Sequence, residues 1–218
     1  MRRLFIASVF FGAILTLSGQ SRIKLSVHAD PQFAWLTSDE DNVVPEGSIF
    51  HLQTGLQMDL FFDKNYAFTL GFGINNMGGN LLYSDSTEFI SKGDTLFAVP
   101  GQIVKHNLQY LDIPFGLKLK TEELGYATFF LEVGFNPMIN INAFATTQDD
   151  IFNKENIRED TNLFSLGYHA GIGVEYRLGG STAAIGGIRW SSGLTDVTDN
   201  DKANITLNAI SIHLGILF

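Results

Sequence analysis

The residue pair best suited to catalysis is Ser211 and His213, close to the end of the chain. Their spacing places both side chains on the same face of a β-strand. A hydroxyl beside an imidazole base is the arrangement that nucleophilic acyl transfer requires. The alternative, which we favour, is that both residues are polar filling of a protein interior.

A second set of residues places charges of both signs at alternate positions of apolar segments. Such a set indicates either an ion path or a network of ion pairs inside a filled structure, and the width of the enclosing fold decides between them. The predicted members of this polar network are Lys24, Asp59, Asp112, Lys118, Glu132, Glu175, Arg177 and Arg189.

Other kinds of chemistry find little support in the sequence. His28, His51 and His169 lie on separate segments, so we predict no metal site, no cofactor and no catalytic residue. The chain has no cysteine, which excludes disulfides, thiolate metal sites and cysteine nucleophiles. Its net charge of −9 argues against nucleic acid as a partner.

The elements that position these residues are short and apolar. Of the 218 residues, 45% are hydrophobic and 17% are charged, which suits one domain. Beyond the N-terminal segment, no apolar run approaches the roughly 20 residues that a membrane-spanning helix requires.

The N-terminal residues 1–20 have the order of a secretory signal peptide. Arg2 and Arg3 precede an apolar stretch from Leu4 to Leu17, and small and polar residues follow at Ser18-Gly19-Gln20. We therefore expect cleavage near Gln20, which leaves residues 21–218 as the mature domain.

The mature chain alternates between apolar and polar residues with the period of two that β-strands show. Short turns at 63–65, 121–125 and 179–181 alternate with long connections at 37–48, 78–106, 142–162 and 195–205. An up-and-down barrel with both termini in the periplasm produces this alternation. The eight predicted strands lie near 23–35, 50–60, 68–75, 107–120, 127–136, 164–177, 183–193 and 210–218.

The two strand faces indicate which solvent each one meets. One face is a continuous set of Phe, Leu, Ile and Val, as lipid requires, and the other combines small residues with a few charges. An eight-stranded barrel is just wide enough for side chains to fill, so we favour a packed polar network over an ion path. The sequence thus predicts an all-β, eight-stranded antiparallel up-and-down transmembrane β-barrel in a bacterial outer membrane.

Two further patterns bear on this barrel. Pro31, Pro114 and Pro137 fall inside predicted strands, so each is expected at a bulge or a rim position. Aromatic residues near the predicted strand ends are expected to form girdles at the membrane surfaces. They are Phe33, Trp35, Phe61, Phe62, Tyr66, Tyr126, Phe144, Tyr176 and Trp190.

Three short motifs in the mature chain are distinctive: Tyr-Leu-Asp-Ile-Pro-Phe-Gly-Leu-Lys at 110–118, Trp-Ser-Ser-Gly-Leu-Thr-Asp at 190–196, and the closing residues 214–218. Together they resemble the PorT-like outer-membrane β-barrel family (outer membrane protein beta-barrel domain). The resemblance implies that the terminal Phe218 is part of the signal read by the outer-membrane assembly machinery. It also implies a possible role in protein secretion, the pathway of the family's namesake.

We therefore predict a non-enzymatic integral outer-membrane protein of structural or interaction type, without an open pore. The long loops 78–106 and 142–162 are its expected recognition surface. Expected partners are outer-membrane lipid and lipopolysaccharide, the assembly machinery and, in the PorT-like alternative, a secretion complex. A second alternative is a lipid A-modifying enzyme, although Ser211 and His213 reverse the His-x-Ser order of lipid A deacylases.

Overall fold

The computed structural model describes residues 23–91, 94–147, 153–198 and 204–218. The predicted signal peptide at residues 1–20 lies outside the described residues. No helix in the described part of the chain is long and apolar enough to cross a membrane. A single-turn 3-10 helix covers Arg158–Asp160.

The described strands pair in antiparallel fashion throughout. Their bounds are β1 Ile23–Ser38, β2 Val43–Pro45, β3 Ile49–Asp63, β4 Tyr66–Tyr83, β5 Thr87–Ser91, β6 Asp94–Ala98, β7 Gln102–Asp112, β8 Phe115–Lys120, β9 Ala127–Thr147, β10 Glu155–Asn156, β11 Phe164–Gly179, β12 Thr182–Gly193 and β13 Ile205–Leu217.

The long strands close into a ring. The order is β1, β3, β4, then β7 and β8 end to end, β9, β11, β12 and β13, and β13 pairs back onto β1. If β7 and β8 are counted as one strand, the described residues form an eight-stranded barrel, which confirms the predicted fold. Closure gives every strand of the ring two neighbours, so its backbone hydrogen bonds are satisfied without water.

Pro31 interrupts the ladder between the first and last strands without a bulge. Pairing stops after His28 and Gly215 and resumes at Gln32 and Ser211 in the same register. Pro31 also keeps its place opposite β3. The predicted bulge or rim position is therefore wrong here, because an extended backbone accommodates proline and only a donor is lost.

The other two strand prolines face each other across one gap. Pro114 separates β7 from β8, yet the register against β9 is the same on both sides of Pro114, and the one register shift between β7 and β9 lies farther away, between Gln109 and Tyr110. The Ile113 N–H donates to the Pro137 carbonyl at 3.0 Å, and the Gly71 N–H donates to the Pro114 carbonyl at 2.7 Å. Neighbouring donors thus use the proline carbonyls, and here too the expected bulge is absent.

An apolar band surrounds the half of the barrel that is nearer the short turns. Its outward side chains are mainly Phe, Leu, Ile and Val, with Met58, several small residues and some Tyr and Trp among them, and Thr54 is the one polar side chain among the described residues of the band. On β3 the band runs from Phe62 to Phe50, twelve residue steps. At about 3.3 Å per residue and a tilt of about 45°, this spans roughly 28 Å, close to the height that a lipid-embedded barrel requires.

Aromatic pairs mark both borders of the band. Phe62 stacks on Tyr66 at 6.1 Å near the short turns. At the other border, the rings of Tyr168 and Trp190 lie 5.3 Å apart, edge to face. Phe61 departs from the prediction: its ring lies beneath the ammonium groups of luminal lysines, so it faces inward and is not part of a girdle.

Beyond the band, the same strands continue with reversed polarity. We call this part the projecting section; it comprises β4 from Asn76 to Tyr83, β7 from Gln102 to Gln109, β9 from Asn142 to Thr147 and the adjoining ends of β1 and β13. Its outward positions are mainly polar, with Leu82, Ile103 and Phe144 as apolar exceptions, so Phe144 lies above the predicted girdle. Its inward side chains form a buried apolar core that includes Leu36, Met77, Leu81, Val104, Leu108, Tyr110, Ala143, Ala145 and Leu207. Much of the predicted loops 78–106 and 142–162 is therefore strand.

A belt of uncharged side chains separates the two regions on the outside. Gln109 donates to Asn76 at 2.9 Å, and Asn142 donates to Gln109 at 2.9 Å. Across the barrel, Ser192 donates to Asn208 at 2.7 Å, and Asn208 donates to Thr37 at 3.1 Å. This amide belt pairs polar groups with each other where the surroundings change from lipid to water.

Candidate functional site

The barrel interior holds most of the predicted polar residues, so we describe it as the candidate site. Nearest the short turns, the Lys118 ammonium lies 2.8 Å from the Asp59 carboxylate and 3.1 Å from that of Glu175. Lys120 also pairs with Glu175. Two lysines balance two carboxylates in this lower layer, and Lys118 and Asp59 are completely buried.

A middle layer of the interior is built around Glu132. Its Oε1 lies 2.9 Å from Arg189 Nη2 and 3.3 Å from His169 Nε2. The Gln57 amide donates to Glu132 at 3.0 Å and to Asp59 at 3.0 Å, so it links the middle layer to the lower one. The interior side chains thus form one network rather than isolated pairs.

A second centre of the middle layer is Asp30. Its carboxylate accepts hydrogen bonds from His28 Nδ1 at 2.9 Å and His213 Nδ1 at 2.9 Å. The Leu214 N–H donates to it at 3.2 Å, and Arg189 Nη1 lies 3.7 Å away. Because Leu214 lies beside the gap at Pro31, Asp30 satisfies a donor that the broken ladder leaves open.

The carboxylate of Asp112 lies higher in the network and has a different environment. It accepts from Gln53 at 2.9 Å and from Asn136 at 3.3 Å, and both donors are neutral amides. Asn136 also contacts His169 Nδ1 at 2.5 Å. Above this level the apolar core of the projecting section begins, so network and core together fill the described interior.

The structure places the predicted network residues in two groups. Asp59, Asp112, Lys118, Glu132, Glu175 and Arg189 are buried in the lumen. Lys24 is half-buried at the rim, with its ammonium 5.9 Å above the Phe61 ring.

Arg177 is a correction, because it lies outside the lumen. Its guanidinium pairs with Glu123 at 2.8 Å and lies 5.6 Å from the Tyr126 ring, with half of its side chain exposed. The reason is a register shift between Arg177 and Gly179, which ends the inward and outward alternation at the rim.

Ser211 and His213 share a luminal face, as their spacing predicts, but they engage different partners. Ser211 Oγ donates to the Arg189 carbonyl at 3.4 Å, whereas His213 binds Asp30. Neither side chain faces the apolar band. Phe218 is exposed, and its N–H donates to the Leu25 carbonyl at 2.8 Å.

Sequence reasoning missed the cluster of His28, Asp30 and His213. The alternation already placed each of them on a polar face. The signal that could have drawn attention to Asp30 is Pro31, because a strand proline leaves backbone groups that need another partner. The register that brings His213 opposite Asp30 was not visible in the sequence.

The projecting section contains its own buried polar pair. The Tyr83 hydroxyl lies 3.2 Å from His106 Nε2. Burial lowers the pKa of His106 to about 4 and raises the pKa of Tyr83 above its usual range. Both side chains are therefore neutral near pH 7.

A closed antiparallel ring with an apolar outer band and an ionic interior defines a transmembrane β-barrel of the bacterial outer membrane. The chain belongs to the family described as outer membrane protein beta-barrel domain, whose model matches residues 15–199. The outer membrane is accordingly its location. No curated protein sequence matches the chain.

Several solved structures are similar to this chain at low sequence identity. Neisserial surface protein A is 12% identical with a TM-score of 0.50, over 92% of this chain and 98% of that one. The attachment invasion locus protein Ail of Yersinia pestis is 10% identical with a TM-score of 0.45, over 91% and 100%. OprG of Pseudomonas aeruginosa is 11% identical with a TM-score of 0.47, over 91% and 96%.

Proposed function

We propose that the protein is a non-enzymatic, non-conducting barrel that supports an interaction surface above the outer membrane. The observation that carries this proposal is the projecting section, whose apolar core and mainly polar exterior resemble those of a water-soluble protein. From Asn76 to Tyr83, seven residue steps of β4 raise the strand ends by roughly 16 Å at a tilt of about 45°. Loops on such a rigid support are suited to recognition.

The filled interior supports the absence of a pore. Two ionic layers occupy the part of the lumen inside the band, and the apolar core closes the part above it. In a planar lipid bilayer, the purified protein should show no steady ion conductance at either polarity. Reproducible single-channel steps with the wild-type protein would contradict the proposal.

Photo-cross-linking in intact cells tests the interaction surface. A cross-linking amino acid at Val99, which is half-exposed beyond the band, should give adducts with the mass of a protein partner. The same amino acid at Phe129, on the lipid-facing side of β9, is the matched control and should give lipid adducts alone. Lipid adducts alone at both positions would exclude a protein-binding role for this part of the surface.

A role as a secretion accessory rests on the PorT-like resemblance. The motif residues Tyr110, Asp112 and Lys118 are all buried in the interior, so they explain barrel packing and do not form a partner surface. Co-purification of secretion components with the full-length protein under mild detergent would favour this second candidate. Their absence after cross-linking would remove it.

An acyl-transfer role finds no support in the geometry, because Ser211 and His213 face the packed lumen. We expect the lipid A profile of a Ser211→Ala strain to match that of the wild type. Loss of one lipid A species in that strain would establish an enzyme instead.

A further inference from the structure

The charges buried in the lumen do not balance. Among the described residues, the buried carboxylates are Asp30, Asp59, Asp112, Glu132 and Glu175, and the buried cations are Lys118, Lys120 and Arg189. Apart from the histidines, five negative charges thus face three positive ones. An uncompensated charge is costly where water is largely excluded, so two further positive charges are required.

The deficit lies in the middle layer and just above it. Lys118 and Lys120 already neutralise the lower layer, whereas Arg189 alone pairs with Asp30 and Glu132, and Asp112 above them accepts from neutral amides. A single divalent cation would close a deficit of two. Two protons taken up by the surrounding groups would close it as well.

Three side chains in this layer offer metal ligands that converge on one point. The Nδ1 atoms of His28 and His213 each lie 2.9 Å from Asp30 Oδ2. One ligand atom from each of the three residues can be chosen such that all lie within 4.8 Å of one another. Tetrahedral ligands with bonds of about 2.1 Å lie about 3.4 Å apart, so small shifts suffice to admit an ion.

We propose that His28, Asp30 and His213 bind one divalent transition-metal cation of the Zn²⁺ type. Two imidazoles and one carboxylate are a donor set that suits zinc and its neighbours and discriminates against Mg²⁺ and Ca²⁺. Binding replaces the hydrogen bonds from the imidazoles to Asp30, and both histidines stay neutral. The ion supplies the two missing positive charges.

The surroundings of the three residues match those of a built metal site. The Leu214 N–H donates to Asp30 Oδ1, the kind of outer contact that orients a ligating carboxylate. His28 and Asp30 lie on the first strand and His213 on the last, beside the ladder gap at Pro31. The ion therefore joins the two strands whose pairing closes the barrel.

Metal retention by the folded protein tests the site. The untagged mature chain is refolded with Zn²⁺, treated with a chelator and analysed for metal by mass spectrometry. We expect about one zinc ion per chain, and a melting temperature higher than that of protein refolded without metal. In His28→Gln and His213→Gln, zinc affinity should fall by at least about tenfold.

The matched control is His169→Gln, which alters a luminal histidine of similar burial that contacts Glu132 and Asn136 instead. Heat-modifiable migration on a gel shows that each variant has folded. Zinc retention should persist in this control. If wild type retains no zinc, or if the double variant His28→Gln/His213→Gln retains as much as wild type, the proposal fails and protons balance the layer.

Discussion

The membrane-embedded and projecting sections of this barrel use the same strands with opposite polarity. On β1, His28 and Asp30 face inward inside the band, whereas Ala34 and Leu36 face inward above it. On the outside, the Phe and Leu side chains of the band give way to the amide belt and then to Lys105 and other polar residues. The surroundings differ: lipid accepts apolar side chains and leaves polar ones for the lumen, whereas water demands the reverse.

The comparison teaches that one barrel is stabilised in two ways. The lower half depends on ion pairs and hydrogen bonds in a closed interior, since hydrophobic side chains gain little from facing lipid rather than each other. The upper half depends on burial of apolar area away from water. A substitution that removes one kind of interaction should therefore lower the stability strongly in the half that depends on that interaction and only slightly in the other half.

The largest effect is expected from Lys118→Ala. This variant leaves Asp59 without its cation and Glu175 with Lys120 alone, and breaking a buried pair typically costs about 3–5 kcal/mol. The free energy of unfolding, measured by urea titration in detergent micelles, should fall by that amount. Lys64→Ala breaks an exposed pair with Glu122 and serves as the control, with no measurable change expected.

Leu81→Ala should rank next. Leu81 is completely buried in the apolar core of the projecting section, and truncation there should cost about 2–5 kcal/mol through lost contacts and a cavity. Leu56→Ala removes the same atoms from the lipid-facing side, where detergent or lipid fills the space. Equal losses in the two variants, measured by the same titration, would refute the contrast between the sections.

The third prediction concerns pH. His106 is neutral in the folded projecting section with a pKa near 4, whereas an unfolded histidine has a pKa near 6.5. Between these values the unfolded state binds more protons, so the contribution is present above pH 6.5 and is lost as the pH falls toward 4. The loss reaches at most about 3 kcal/mol, and hydrogen exchange of the β7 amides should report it. If the protection of the β7 amides against exchange falls as steeply with pH in His106→Phe as in wild type, the dependence belongs to other groups.

The smallest effect is expected at the border between the two sections. Gln109→Ala removes two cross-strand hydrogen bonds of the amide belt and should cost about 0.5–1.5 kcal/mol. Lys105→Ala, on the same outward face of β7 but above the belt, is the neutral control. A cost for Gln109→Ala as large as that for Leu81→Ala would mean that the belt, and not the core, holds the upper half together.

Local pattern by itself determined much of this protein. Alternation along residues such as Leu25, Val27 and His28 identified strands, and the alternating lengths of the connections identified an up-and-down barrel. Six of the eight predicted network residues lie in the lumen, because the face of a strand on which a side chain lies follows from its position along that strand alone. Arg177 does not, since its place depends on where the strand leaves the barrel.

Only the tertiary structure decided which face is inside at each height and which strands meet across the lumen. Side chains alternate between the two faces of a strand in the same way whether the strand crosses lipid or lies in water. The exchange of apolar and polar faces beyond Asn76 could therefore be predicted only by knowing how far the strands extend past the membrane. The cluster of His28, Asp30 and His213 depends on the closure of the first strand on the last. Such contacts join residues far apart in the chain, and a period of two within each strand contains no information about the register between strands.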